Sequence, residues 1–322
     1  LAADVVREYE LSKDSLVVDI GSNDGTLLTG FSDRGMRVLG VEPTNVAKIA
    51  IANGIDSIQE FFSESVADEI AAQHGRASAI TATNVFAHMT GLGDVMRGID
   101  ALLDDGGVFV AEVHYLLNII QGFQYDTIYH EHLRSYSLKS LVRLFEQYNF
   151  TVVDAQVVGR YGGSLRVCAV KGKAPAEPTV RRMLDSEQAF GLYDQAVYDG
   201  FRENSMRAGE SLLRLALDAK ERGQTFVANS CPGRGSTLVN YTGLTRDLMP
   251  YICEQPTSLK LGLHLPGKHI PIVENSRLIE EQPDYVLLLA WHYADAIAKE
   301  LRGRGLKSRL VVPLPEVRVL DV

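Results

Sequence analysis

Residues 125–137 read YDTIYHEHLRSYS, and four consecutive positions there, Tyr129, His130, Glu131 and His132, carry groups able to move protons or hold a metal. The whole chain has eight histidines, so two of them flanking a carboxylate concentrate its acid–base chemistry in one place. Three readings fit these residue types. A transition-metal site needs three or more ligands in suitable geometry. His130 and His132 project to one side only in an extended segment, where Glu131 points away, and no other compact His/Cys/Asp set lies close in sequence. A polar helix entry would use Ser137 to cap a helix from Leu138. Proton transfer would use a histidine titrating near neutral pH as general base. A tyrosine hydroxyl would then donate to a developing oxyanion, and a carboxylate would orient the imidazole.

A second constellation is VVDIGSNDGTLL, residues 17–28. A dinucleotide fingerprint starting at Gly21 requires glycine at 23 and 26, where this chain has Asn23 and Thr26. The pattern present, Asp19-x-Gly21-x-x-x-Gly25, resembles motif I of S-adenosylmethionine-dependent methyltransferases, whose turn has no pyrophosphate to cradle. Glu42, in GVEP at the end of the next strand, can accept hydrogen bonds from both ribose hydroxyls. Asp19, Gly21, Ser22, Asn23, Gly25, Glu42, Pro43 and Asn84 are the cofactor-binding candidates. His88 lies on the same strand edge as Asn84, in TNVFAHM.

Anion-binding features occur later. NSCPGRGST sets Gly233, Arg234, Gly235 and Ser236 at the start of a helix, where backbone N–H groups favour an anion and Arg234 can pair with phosphate. The alternative is a plain strand-to-helix turn. RYGGSLR offers Tyr161, Gly163 and Ser164 on a hairpin for contact with substrate, although Gly-Gly is also a good hairpin turn. Lys268, in PGKHIPI, is a further candidate.

The elements that must position these groups alternate short apolar runs with amphipathic stretches, as in a doubly wound α/β domain. SLVVDIGS, RVLGVEP, ASAITATNVF and GGVFVAEVHY predict strands, and 44–54, 92–106 and 138–150 predict helices. TVVDAQVVG and SLRVCAVKG predict an antiparallel pair. KGKAPAEPTV, with two prolines, is a joint, followed by helix to about Gly223. The α/β pattern then repeats, with SRLVVPLP as a final strand. This predicts two domains, 1–173 and 174–322, with a cleft between them as the default ligand site.

The bulk numbers narrow the partners. At 322 residues the chain can bury two cores. A net charge of −9 argues against nucleic acid or an anionic membrane as partner. Three scattered cysteines form no disulfide framework and fit a reducing cytoplasm. No apolar run reaches the length of a membrane span. The chain opens at Leu1 without a starting Met, as expected of a fragment.

FQYDTIYHEHLRSYS, TNVFAHM, YGGSLRV, LPGKHIPI and VPLPEVRVL together resemble the sugar C-methyltransferases that act on nucleotide-linked 4-keto-deoxysugars. The resemblance runs over essentially the whole chain. It implies a class I S-adenosylmethionine methyltransferase domain followed by a second Rossmann-like α/β domain that helps to bind the nucleotide diphosphate. It also implies His132 as base, Tyr129 and Glu131 assisting, and His88 close to the sugar. S-adenosylhomocysteine is the implied product, and no metal is implied in this chain. The competing readings are an O- or N-methyltransferase for another small acceptor and a non-catalytic nucleotide-sugar-binding protein. Two departures stand out. The cysteine-rich zinc-binding domain that the family carries at its N-terminus is not among residues 1–322, as expected either of a truncated chain or of a trimmed variant, and zinc would belong to that missing domain. The second-domain loop has Arg234 where a Gly-Ala-x-x-Lys-Gly-Asn pattern places lysine.

Overall fold

Leu16–Ile20 (β1) is four apolar residues and Asp19, all buried, as expected of a central strand covered on both faces. In the computed structural model, which describes residues 1–321, it is an interior strand of a seven-stranded sheet. The other strands are β2 (Arg37–Val41), β3 (Ser57–Ile58), β4 (Ala77–Thr83), β5 (Leu103–His114), β6 (Phe150–Val158) and β7 (Ser164–Lys171), in the order β3-β2-β1-β4-β5-β7-β6. The first five are parallel, and β7 runs antiparallel to both β5 and β6. The helix expected over 92–106 stops at Leu102, and 103–106 joins β5 instead. Ser137 caps helix Leu138–Glu146 as expected, in a capping box with Ser140.

A second sheet follows helices Pro178–Phe190 and Gln195–Glu221. Its strands are β8 (Phe226–Asn229), β9 (Ile252–Glu254), β10 (His264–Leu265), β11 (Ile270–Glu274), β12 (Tyr285–Leu288), β13 (Arg309–Val312) and β14 (Arg318–Leu320). The order is β10-β11-β9-β8-β12-β13-β14, with the two edge strands antiparallel to their neighbours. The strand in SRLVVPLP is therefore not the last, because β14 pairs back onto it.

The chain forms two compact units. Unit 1 comprises Leu1–Leu116, Leu133–Gly159 and Gly163–Leu192. Unit 2 comprises Tyr193–Val322 together with two excursions from the first half of the sequence, Leu117–His132 and Arg160–Gly162; Val322 itself lies outside the described residues. Tyr129–His132 thus belongs by its contacts to unit 2.

The two sheets share one central plan. The order β3-β2-β1-β4-β5 in unit 1 is matched by β11-β9-β8-β12-β13 in unit 2. In each, the chain builds outward from one strand and then reverses to its other side. That reversal opens a crevice at the carboxyl ends of the two central strands, the usual ligand position of open α/β sheets.

Candidate active site

In unit 1 the reversal lies between β1 and β4, and the loops that follow these strands carry the cofactor candidates. Gly21 adopts φ +71° and donates its N–H to Val41 O at 2.8 Å. A Cβ there would collide with the Val85 side chain, so the turn requires glycine on two counts. Gly25, at φ +81°, starts helix Thr26–Ser32. Glu42 is nearly buried, and both its oxygens are held by backbone: Asn23 N–H donates to Oε2 (3.2 Å) and Thr44 N–H to Oε1 (2.9 Å). Each carboxylate oxygen retains acceptor capacity for a further donor.

A cavity of about 600 Å³ opens at this point, lined by Gly21, Glu42, Pro43 and His88, with Phe61 and Phe62 supplying apolar wall. These groups fit S-adenosylmethionine: a close-approach turn, a fixed acceptor for ribose hydroxyls and apolar surface for an adenine. When bound there it supplies an electrophilic methyl group already activated by its sulfonium charge.

Asp19, Ser22, Asn23, Gly25 and Asn84 do not line the cavity. Asp19 is buried, and its Oδ1 accepts from Thr81 Oγ1 at 2.5 Å. Burial, reinforced by the Glu42 charge and opposed by Thr81, raises its pKa to about 7. Asn84 adopts φ +58° and donates its N–H to Glu112 O. These residues shape the turns rather than the wall. Phe61, an exposed aromatic at the rim, is absent from the sequence-based candidates because nothing in its spacing marks it.

In unit 2, Tyr129–His132 is a turn, closed by His132 N–H donating to Tyr129 O (2.9 Å). The extended geometry that would align both histidines does not occur. The His132 ring lies against that of Tyr129, with centroids 4.3 Å apart. His132 Nδ1 is 2.7 Å from Thr127 O. A carbonyl can only accept, so Nδ1 carries the proton and Nε2 is the basic nitrogen of the neutral ring. Burial and then the Glu131 carboxylate push the Tyr129 phenol upward, which keeps it a donor. No group of three or more His, Cys, Asp or Glu side chains among the described residues is arranged to hold a metal ion.

Tyr129, His130 and Glu131 line a second cavity, of about 550 Å³, with Gly233, Ser236 and Lys260. Gly233 packs closely here: a Cβ on it would lie 3.3 Å from the Tyr129 hydroxyl. Lys260, not Lys268, reaches this cavity, and its Nζ donates to Cys231 O. Gly235 packs its backbone against Leu289. Ser164 begins β7 in unit 1, directly after Gly163, whereas Tyr161 belongs to unit 2.

Arg234, expected to pair with phosphate, is instead committed inside unit 2. Its Nε and Nη2 grip both oxygens of Asp126 at 2.8 and 2.7 Å, Nη2 also donates to Gln124 Oε1 and Nη1 to Tyr161 O. Trp291 Nε1 donates to the same Asp126 carboxylate at 2.8 Å, and its ring lies 5.0 Å from the guanidinium. Arg234 and Asp126 are 7% and 0% exposed. Breaking such a buried pair by removing one partner costs about 3–5 kcal/mol. Sequence reasoning missed Asp126 and Gln124, since their partners lie more than a hundred residues away.

The strand order of unit 1, with its antiparallel β7, is that of the class I S-adenosylmethionine-dependent methyltransferases. A methyltransferase-domain family model matches residues 1–155, and a C-methyltransferase C-terminal domain model matches residues 160–315. The C-methyltransferase NovU of Streptomyces niveus is 37% identical over 98% of this chain and 76% of its own length. The chain belongs to this C-methyltransferase family. Solved structures are more distant. The 1,6-didemethyltoxoflavin-N1-methyltransferase of Burkholderia thailandensis, solved with S-adenosylhomocysteine, is 20% identical over 53% of this chain and 76% of its own, with a TM-score of 0.41. Precorrin-6y C5,15-methyltransferase of Geobacter metallireducens is 16% identical over 53% of this chain and 87% of its own, at 0.38. No helix of the described residues is long and apolar enough to cross a membrane.

Proposed function

We propose that this C-methyltransferase methylates a carbon next to the ketone of a nucleotide-linked 4-keto-deoxysugar. The reading has His132 Nε2 remove the proton from that carbon. Tyr129 donates to the ketone oxygen as it becomes an enolate, assisted by Glu131, with His88 close to the sugar. Methyl transfer to the resulting carbanion needs no metal, because the donor brings its own positive charge. The nucleotide diphosphate is assigned to unit 2, to the cavity that Ser236 and Lys260 line beside Tyr129.

The observation that carries this reading is the Nδ1–H to Thr127 O hydrogen bond. It holds the imidazole in the tautomer a general base requires and leaves its protonated form with a second donor to return. The Asp19 to Glu42 turn system in unit 1 supports the methyl donor, and the cytoplasm, with its keto-sugar nucleotides, is the compartment the reading implies.

His132→Asn should lower methyl transfer by roughly 10²–10⁴-fold, the usual contribution of a general base, with S-adenosylmethionine affinity unchanged by calorimetry. In deuterated water the wild-type enzyme should exchange the carbon-bound proton next to the ketone, and the variant should not. Normal turnover of His132→Asn would sink the assignment of the base. Methylation without any carbon exchange would favour an O- or N-acceptor instead.

A further inference from the structure

The reversal point of unit 2 lies between β8 and β12, and two loops leave it, 230–232 into helix Gly233–Thr242 and 289–293 into helix Ala294–Gly303. In a free-standing doubly wound sheet this crevice takes an anionic ligand, whose charge meets the helix N-terminus. Here it holds a carboxylate of the chain itself. Asp126, on the excursion 117–132, accepts from Arg234 at the first turn of one helix and from Trp291 in the loop before the other. Gln124, two residues earlier, bonds the same guanidinium and also donates to Gly162 O at 2.8 Å. The two excursions of unit 2 are thereby tied to each other and to both loops of the crevice.

What hangs from this clasp is the catalytic turn. Asp126 precedes Thr127, whose carbonyl receives His132 Nδ1–H and whose hydroxyl donates back to Gln124 O at 2.8 Å. Tyr125, on the other side, is buried with its ring 4.5 Å from Tyr241 of the same helix as Arg234. The excursion is therefore anchored at 124–127 and exposed at Ile128, His130 and Glu131.

We propose that Asp126, through its clasp with Arg234 and Trp291, is a positioning residue for methyl transfer: it occupies the anion crevice of unit 2 so that the Thr127 carbonyl, and with it the His132 imidazole, is fixed in place. The inference rests on reading His132 as the base. Asp126 touches no substrate in this scheme, and Arg234 serves a carboxylate of its own chain in place of a phosphate.

Three variants test it: Asp126→Asn, Arg234→Met and the two combined. Each single variant leaves a buried polar or charged group without its partner, so each should melt lower. The double variant removes both charges and should recover most of the lost melting temperature. If the clasp positions the turn, the double variant should still show faster amide hydrogen exchange across 124–132. Its kcat, measured with a thymidine diphosphate-linked 4-keto-6-deoxyhexose, should stay about 30-fold low, a loss within the range for misplaced catalytic groups. KM and S-adenosylmethionine affinity should remain within about twofold, since binding energy is not what the clasp supplies. A kcat that returns with the melting temperature would reduce the clasp to a purely structural pair and overturn the proposal. So would unchanged exchange at 124–132, or a change in KM alone. Trp291, the only tryptophan, gives a single indole N–H resonance that verifies the clasp has opened in each variant. His132→Asn run alongside separates the two readings: it should lose turnover while leaving exchange at 124–127 unaltered. Retained turnover there rejects the base and not the clasp.

Discussion

The two sheets are built on the same strand plan, yet different side chains meet at their reversal points. In unit 1 the crevice after β1 and β4 is an open cavity, walled by Gly21, Glu42 and His88. In unit 2 Asp126, held by Arg234 and Trp291, packs into the corresponding place after β8 and β12, beside the cavity that Gly233 and Ser236 line. The difference lies in which side chains face the crevice. Gly21 contributes no atoms beyond backbone, and Glu42 already has its charge balanced by two N–H groups, so space is left for a ligand. Arg234 instead brings a buried cation that must be paired, and the chain supplies the carboxylate. The place that stays open in unit 1 thus serves in unit 2 to fasten the segment that carries Tyr129–His132.

The largest effect that could break this comparison comes from closing the open crevice. Gly21→Val must adopt a left-handed φ and push against Val85, a strain-plus-overpacking cost of about 3 kcal/mol. Affinity for S-adenosylmethionine should fall by about 100-fold or more, because the displaced turn and Val85 both line the cavity. Unimpaired binding, measured by calorimetry on the folded variant, would show that the crevice of unit 1 is not the donor site. Asp126→Asn should leave the same affinity unchanged.

A smaller effect sharpens the role of Glu42. Glu42→Gln keeps the shape but has one acceptor oxygen for the N–H groups of Asn23 and Thr44 and for a ribose. Losing a charged hydrogen bond of about 1.5 kcal/mol should weaken S-adenosylmethionine roughly tenfold. 5′-Deoxy-5′-methylthioadenosine, which lacks the amino-acid end and keeps the ribose hydroxyls, should lose as much. An analogue without those hydroxyls should bind both proteins equally.

Much of this was legible in the sequence, for reasons that differ between the units. The strands of unit 1 read as continuous apolar runs because both faces are covered, and the Asp19–Gly21–Gly25 turn advertises its positive φ angles through glycine. The helix starting at Leu138 was marked by Ser137. What could not be read was any bond made across long sequence separations. Asp126 is one acidic residue among aromatics, and only the fold reveals that Arg234 and Trp291 converge on it. Arg234 looked like a phosphate ligand because its neighbours, Gly233, Gly235 and Ser236, have the composition of an anion loop; that composition does not reveal which carboxylate arrives. Similarly, the alternation rule for His130 and His132 presumes a strand, and the hydrogen bond from His132 N–H to Tyr129 O replaces it with a turn.

The smallest expected effect sets the two crevices against each other through pH. Asp19, beneath the crevice of unit 1, has its pKa raised by burial from 3.8 to about 7. Between about pH 4 and 7 the native state therefore holds a proton that the unfolded chain has released, so this group makes stability fall as pH rises through that window. His292, beside the clasp of unit 2, has its pKa lowered from 6.5 to about 4, by burial first and then by the Arg234 charge, against the pull of Asp126. Here the unfolded chain binds the proton and the native state does not, so stability falls as pH drops from about 6.5 to 4. Asp19→Asn should flatten the decline in melting temperature between pH 5 and 7, and His292→Gln should flatten the decline between pH 6.5 and 4. Each substitution should leave the other slope intact, because the two groups belong to separate units. Melting curves in which either variant altered both slopes would mean that the crevices titrate together, and the contrast between an open site and a fastened one would then need a shared electrostatic term.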